Sequence, residues 1–178
     1  MKKGIIVTKR WAAIAMATAL LSGCGLTQKV ADGTASMTKS IFYKQVKTLH
    51  LDIRARDGVN SNESGNALAT VVRIYQLKDR KAFDAANYST LFSVDSETIK
   101  ADLLAEKDIR VRPGESVTVD MPMESGADFV AVAAMFLSPD QKNNNWRIVL
   151  TINDLDPDSP RHMELNRNVL KLLPLKDE

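Results

Sequence analysis

Residues 48–56, TLHLDIRAR, alternate strictly between apolar and polar side chains. The apolar positions that share one face are Leu49, Leu51, Ile53 and Ala55. His50 lies among the polar residues of the other face. A period of two is the pattern of a β-strand that turns one face to a core and the other to water. This stretch therefore predicts a folded domain built from half-buried strands.

Further segments on the C-terminal side have the same strand character. ALATVVRIYQL, residues 67–77, is rich in β-branched and aromatic side chains, which favour strands. FVAVAAMFL, residues 129–137, is nearly all apolar, as expected of a central strand covered on both faces, although its alanines also suit a buried helix. Two more strands are predicted at 146–152 and 163–173. The sequence thus predicts a mainly β domain.

A turn with specific chemistry separates two of the alternating segments. Arg112-Pro113-Gly114-Glu115 places proline at the second position and glycine at the third, as a type II turn requires. Apolar and polar residues alternate before it, at 109–112, and after it, at 117–121. We expect the two segments to pair as a hairpin.

Two segments with a helix-capping aspartate lie between the second strand and this turn. DRKAFDAANYSTLF, residues 79–92, is predicted to form a helix capped by Asp79. SETIKADLL, residues 96–104, is predicted to form a second helix that Asp95 caps, with Ile99 and Leu103 on one face.

The pattern as a whole is typical of an antiparallel two-sheet β-sandwich. We predict one sandwich domain at residues 46–178, with a short helical insertion at about 80–104. The composition, 44% hydrophobic and 26% charged over 178 residues, supplies enough apolar side chains for one core.

The N-terminus has the layout of a secretory signal peptide over residues 1–23. Its apolar run, WAAIAMATALL at 11–21, is too short to cross a bilayer, which takes roughly 20 residues. Four of the chain's 24 lysines and arginines precede Cys24, and no acidic residue does. The mature chain would hold 20 basic against 22 acidic residues, a net charge near −2, which disfavours nucleic-acid binding.

Cys24 is the only cysteine, so it has no intramolecular partner for the disulfides that exported proteins usually form. Leu21-Ser22-Gly23-Cys24 resembles the lipobox of bacterial lipoproteins, which implies cleavage between Gly23 and Cys24 and acylation of Cys24, palmitate included. Several acyl chains anchor a protein stably. Gly25 replaces the aspartate that resembles an inner-membrane retention signal, so we expect the periplasmic face of the outer membrane. Residues 24–45 would form the lipidated N-terminus and tether.

No motif in the sequence indicates catalysis, a metal or a cofactor. Asp154, Asp156 and Asp158 have the spacing that opens a calcium loop, but Ser159 and Leu165 replace the required glycine and glutamate. We interpret the segment as a turn. The two histidines lie in predicted strands, and neither a nucleophile elbow nor a phosphate-binding loop is present. A spatially assembled acid pair, and hence a lipid-anchored hydrolase, stays open, as does a periplasmic small-ligand-binding lipoprotein.

The loop DGVNSNESGNA, residues 57–67, is long for a connection between two strands, which usually takes two to five residues. It is either a solvated connection or a binding loop carried by a rigid scaffold. The candidate partner-binding residues are Asp57, Gly58, Val59, Asn60, Ser61, Asn62, Glu63, Ser64, Gly65 and Asn66.

The order of these features resembles the TssJ family, the outer-membrane lipoproteins of the type VI secretion system. The resemblance is carried by Cys24 and by RARDGVNSNESGNA, VVRIYQLKD, FDAANYSTLF, RPGE, VAVAAMF and WRIVL. It implies a transthyretin-like β-sandwich with a small helical addition and no enzymatic activity. It also implies anchoring of the secretion membrane complex, with the 57–67 loop binding the periplasmic C-terminal region of the inner-membrane component TssM. Many relatives have arginine where this chain has Leu137.

Overall fold

The alternating stretch forms strand β1, Thr48–Ala55, and its four apolar side chains are all buried. The computed structural model describes residues 45–93 and 97–175. The remaining strands are β2 Thr70–Leu77, β3 Leu103–Val111, β4 Ser116–Pro122, β5 Phe129–Met135, β6 Arg147–Thr151, β7 Arg161–Asn166 and β8 Val169–Leu172.

The strands form two four-stranded sheets with the orders β4-β1-β7-β8 and β3-β2-β5-β6. Neighbouring strands run antiparallel except β1 and β7, which are parallel. The inner faces supply a core of aliphatic side chains, and β5, between β2 and β6, is buried along most of its length. The predicted mainly β, two-sheet sandwich is therefore confirmed, and the helical alternative for 129–137 is excluded.

The turn at 112–115 forms as predicted, but the hairpin prediction was wrong. Gly114 has a φ of 76°, and the Glu115 N–H donates to the Arg112 carbonyl at 3.0 Å. However, β3 pairs with β2 while β4 pairs with β1, so the turn carries the chain from one sheet to the other. Alternation and turn chemistry are local properties, whereas the choice of pairing partner depends on how both sheets bury their apolar faces.

The segment predicted as one strand at 163–173 is two strands, β7 and β8, paired antiparallel. They are joined at Arg167 and Asn168, and Arg167 has a φ of 53°. The apolar residues on both sides of this short turn concealed the break in the sequence pattern.

The helical insertion is shorter than predicted. Residues 79–92 contain two helices, α1 Lys81–Ala85 and α2 Tyr88–Phe92, because Asn87 adopts an extended conformation and caps α2 by accepting the Thr90 N–H. Asp79 accepts the Lys81 N–H at 2.8 Å, as a residue at the start of a helix should. The second predicted helix was wrong over the described residues, since 98–102 form turns and β3 follows at once. Its cap, Asp95, lies outside the described residues.

Arg147 fixes the helices to the edge strand β6. Its guanidinium donates to the carbonyls of Phe83, Asp84 and Ala86 at 2.7 to 2.9 Å, at the C-terminal end of α1, and it lies 4.8 Å from the centre of the Trp146 ring. Cations at this end of a helix satisfy carbonyls that have no partner within the helix.

We expect Arg147→Met to lower the free energy of unfolding by about 1–2 kcal/mol, because three carbonyls lose a charged donor while the aliphatic packing is kept. Chemical denaturation would measure the loss. Arg112→Met is the matched control, since the Arg112 side chain is 75% exposed. Equal stability of both variants would show that Arg147 does not hold the insertion.

The two ends of the sandwich differ. At one, the distal end, lie the β1–β2 loop, the β5–β6 connection and the β7–β8 turn. At the other, the proximal end, the described chain begins at Gln45, and the Met123 N–H donates to the Lys47 carbonyl. β1 connects the two ends with 8 residues. At roughly 3.3 Å per residue, they are about 26 Å apart.

Candidate functional site

Asn60 holds the β1–β2 loop to the rest of the distal end. It is 7% exposed and has a φ of 49°, a conformation that asparagine tolerates better than most residues. Its side-chain oxygen accepts the Leu137 N–H at 2.6 Å, and its own N–H donates to the Arg167 carbonyl at 2.7 Å. One residue thus joins the loop to the β5–β6 connection and to the β7–β8 turn.

Val59 anchors the loop in the core. Its side chain is fully buried, and its carbonyl accepts the Leu68 N–H at 3.3 Å. Asp57 lies under the turn at 112–115, since a Cβ added to Gly114 would lie 2.8 Å from the Asp57 carboxylate. The base of the loop is therefore packed structure and not a wholly solvated connection.

The tip of the loop forms its own turn. The Asn62 carbonyl accepts the Gly65 N–H at 2.9 Å, and the Asn62 side chain accepts the Asn66 N–H at 2.9 Å. Gly65 has a φ of 79°, which glycine adopts without strain. The residues that this turn presents to solvent are Ser61, Glu63, Ser64, Gly65 and Asn66. The tip offers hydrogen-bonding groups in a defined shape.

A groove of about 480 Å³ lies beside the loop. Polar residues and one glycine line it, and Asn168 closes one side by donating to the Ser138 carbonyl at 2.8 Å. The residues that line it are Gly58, Asn60, Ser61, Ser138, Asn166, Arg167 and Asn168. The sequence does not point to the last four of these, because no local signal places residues 70 to 110 positions away beside the loop.

Exposed apolar side chains flank the same region. Leu137 is 60% exposed and Leu68 is 37% exposed, and the only other large hydrophobic side chain exposed within 45–93 and 97–175 is Leu175. Since Leu137 is hydrogen-bonded to Asn60 and Leu68 to Val59, both leucines belong to the surface that the loop forms. We call this surface, made of Ser61–Asn66, Leu68, Leu137 and the groove, the distal surface.

Asp140 shapes the β5–β6 connection next to this surface. Asn143 donates to it through both its side chain, at 2.7 Å, and its backbone N–H, at 3.1 Å. These hydrogen bonds favour the ionised carboxylate and lower the pKa of Asp140 below its usual value. The connection therefore keeps this shape at neutral pH.

The histidines form surface pairs on one sheet. His50 Nδ1 lies 2.5 Å from Asp120, and His162 Nδ1 lies 3.2 Å from Asp52. Over the described ranges, neither imidazole is hydrogen-bonded to a serine, as a hydrolytic triad would require.

The aspartates of the predicted turn hold local backbone. Asp154 accepts the Thr151 N–H at 2.7 Å, and Asp156 accepts the N–H groups of Asp158 and Ser159. In the part of the chain that the structure covers, no group of three or more histidine, cysteine or acidic side chains is arranged to hold a metal ion. No helix there combines the length and hydrophobicity needed to cross a bilayer. Gly23 and Cys24 lie outside the described residues.

Comparison with solved structures identifies two similar chains of high identity. One, in a structure described as the T6SS protein TssM C-terminal domain (869-1107) from EAEC, is 52% identical, with a TM-score of 0.68. The other, in a structure described as a type VI membrane complex, is 55% identical, with a TM-score of 0.71. Each match covers 73% of this chain and 100% of the other. No curated protein matches this chain.

More distant structures share the fold. TssJ1 from Pseudomonas aeruginosa, a T6SS lipoprotein, is 21% identical with a TM-score of 0.57, and the match covers 73% of this chain and 98% of that one. Lip from Serratia marcescens, a membrane-bound component of the type VI secretion system, is 18% identical with a TM-score of 0.64, covering 74% of this chain and 100% of that one. Residues 47–168 match the sequence profile of the type VI secretion lipoproteins, which include VasD, EvfM and TssJ. The chain belongs to this family, the TssJ lipoproteins of type VI secretion.

Proposed function

We propose that this chain anchors the type VI secretion membrane complex to the outer membrane by binding the periplasmic C-terminal region of TssM. Two chains more than 50% identical to it occur in structures described as the TssM C-terminal domain and a type VI membrane complex. The observation that carries the proposal is the β1–β2 loop, which Asn60 holds in a fixed shape beside exposed leucines.

The arrangement of the two ends suits such an anchor. Lipidation at Cys24, after cleavage of residues 1–23, would place the protein at the periplasmic face of the outer membrane. Residues 24–45 would act as a tether, and its stretch 25–40 would have a root-mean-square span of about 20 to 25 Å. The tether joins the sandwich at Gln45, and the loop lies at the opposite end. Gln45, where the described sandwich begins, is therefore separate from the residues proposed to bind the partner.

The distal surface has the composition of a protein-binding site. Leu137 and Leu68 supply apolar contact, and the amides of the tip and groove supply hydrogen bonds around it. A preformed loop loses little conformational entropy on binding, which favours affinity. The role is structural and non-catalytic. No specific observation favours the hydrolase alternative, and none makes small-ligand binding the main role in place of anchoring.

Replacing the tip, Asn62–Gly65, by two glycines tests the loop directly. Asn60 and Ser61 are retained, because removing Asn60 would also disturb Leu137 and Arg167. We expect at least tenfold weaker binding of the TssM periplasmic region, measured by titration calorimetry, since losing one or two good contacts has this effect. The thermal midpoint should change little.

Lys107→Ala is the matched control, because Lys107 is exposed on β3, away from the loop. It should bind like the wild type. Unchanged affinity of the shortened loop would contradict the assignment of the loop as the TssM-binding element.

A further inference from the structure

Arg161, the first residue of β7, is buried, and its Nε has no hydrogen-bond partner. The residue is 7% exposed, and its Nε–H donates to no acceptor. Among the described residues, no carboxylate lies within 4 Å of its guanidinium. Burying a charge in this way is unfavourable unless something compensates it. The Arg161 charge is therefore only partly compensated within the described residues, by the nearby Asp154.

Arg161 lines an open pocket of about 530 Å³ near the proximal end. The pocket lies between the β6–β7 connection and the residues that follow β8. The other residues that line it are Asp156, Ser159, Pro160, His162, Pro174 and Leu175. Leu175 is 64% exposed, so the rim of the pocket is apolar on that side.

The pocket contains charges of both signs. Asp156 is held at the pocket because its carboxylate accepts the N–H groups of Asp158 and Ser159 at 2.7 and 3.0 Å. Asp154 lies close enough to interact electrostatically with Arg161, but its carboxylate is bound to the Thr151 N–H and hydroxyl. A simple anion would be attracted by Arg161 and repelled by both carboxylates. A zwitterion satisfies the two signs together.

We propose that this pocket binds a phosphoethanolamine group, with the phosphate at Arg161 and the ammonium at Asp156. Guanidinium groups bind phosphate oxygens with two donors, and a carboxylate complements an ammonium ion. Pro160, Pro174 and Leu175 would contact the apolar part of the ester. The choice of this zwitterion rests on the proposed function, since a protein lipidated at Cys24 is held beside phospholipid headgroups.

Titration of the purified lipidated protein in detergent with glycerophosphoethanolamine tests the pocket. We expect saturable binding by calorimetry and at least tenfold weaker binding by Arg161→Gln and by Asp156→Asn. Asp156→Asn keeps a side-chain oxygen for Ser159 and should fold even if Arg161→Gln does not. Arg110→Gln, an exposed arginine on β3, is the matched control and should bind like the wild type.

Two probes test the zwitterion itself. Inorganic phosphate and glycine should each bind at least tenfold more weakly than glycerophosphoethanolamine. Equal binding of phosphate would overturn the role of Asp156, and equal binding of glycine would overturn the phosphate assignment. Wild-type affinity in both pocket variants would overturn the site.

The source of the group is tested in bilayer nanodiscs. Stronger amide-exchange protection of Ser159, Arg161 and His162 with phosphatidylethanolamine than with phosphatidylglycerol would support a lipid headgroup. Equal protection, with binding in solution, would support a soluble ester.

TssM binding by the same variants separates the two proposals, because it depends on the distal surface. If the pocket variants lose headgroup binding but bind TssM normally, the pocket is a second site. If the wild-type protein binds TssM normally but binds no headgroup, this inference alone is overturned.

Discussion

Asn60→Ala is expected to weaken binding of the TssM periplasmic region about a hundredfold or more, while the sandwich still unfolds cooperatively. The substitution removes the acceptor for the Leu137 N–H, which lies 2.6 Å away in a partly buried position. An unsatisfied buried group costs about 1–3 kcal/mol, and alanine at a φ of 49° adds roughly 1–2 kcal/mol. Since 1.4 kcal/mol corresponds to a factor of ten, a loop that must recover this shape on binding loses two or more orders of magnitude.

Asn60→Gly separates the two causes. Glycine adopts the positive φ without strain but lacks the side-chain amide of asparagine. The affinity of Asn60→Gly for TssM should therefore lie between those of the wild type and Asn60→Ala. Lys107→Ala is again the control, since Lys107 is exposed on β3, away from the loop. Calorimetry gives the affinities, and circular dichroism confirms folding. Wild-type affinity in Asn60→Ala would mean that TssM does not recognise the fixed shape of the loop.

The sequence predicts those parts of the fold that depend on local alternation and composition. β1 has four buried apolar side chains with polar ones between them, and its position is correct to within one residue. β5 is almost wholly apolar because it lies between β2 and β6 within its sheet and is buried along most of its length. The RPGE turn is predicted because glycine satisfies the positive φ that its third position needs.

Properties that arise between distant segments are not visible in the same way. The pairing of β4 with β1 and not with β3 depends on contacts 60 to 75 positions apart, so the correct turn gave the wrong hairpin. Asn87 separates α1 from α2. Asparagine occurs both at helix ends and in loops, so the sequence did not show this break and predicted one helix. At the candidate site, the loop is found from its length and composition. The roles of Asn60, Leu137 and Arg167 require the hydrogen bonds that join three connections.

Cys24→Ser is expected to release essentially all of the protein from the membrane. Serine lacks the thiol that carries the thioether, so neither the diacylglyceryl group nor the N-acyl chain that follows cleavage would be attached. Each buried methylene contributes about 0.8 kcal/mol, and one chain alone holds a protein only marginally, so losing several chains removes stable attachment. Fractionation of cells grown with labelled palmitate would measure both effects. Label that still follows the Cys24→Ser protein would contradict lipidation at this residue.

The same variant tests whether anchoring and partner binding are separate functions. The described sandwich begins at Gln45, and the loop lies at the end opposite to it, so the soluble protein should bind TssM in titrations with wild-type affinity. In cells the complex should nevertheless fail to attach to the outer membrane. The lipid anchor raises the effective concentration of the loop at the membrane surface, and the affinity of the loop for TssM cannot replace this effect. Ser36→Ala, a change within the tether, is the matched control and should leave both properties intact. Weak TssM binding by purified Cys24→Ser protein would show that the acyl chains take part in the contact. Anchoring by Cys24 and TssM binding by the loop would then not be separate functions.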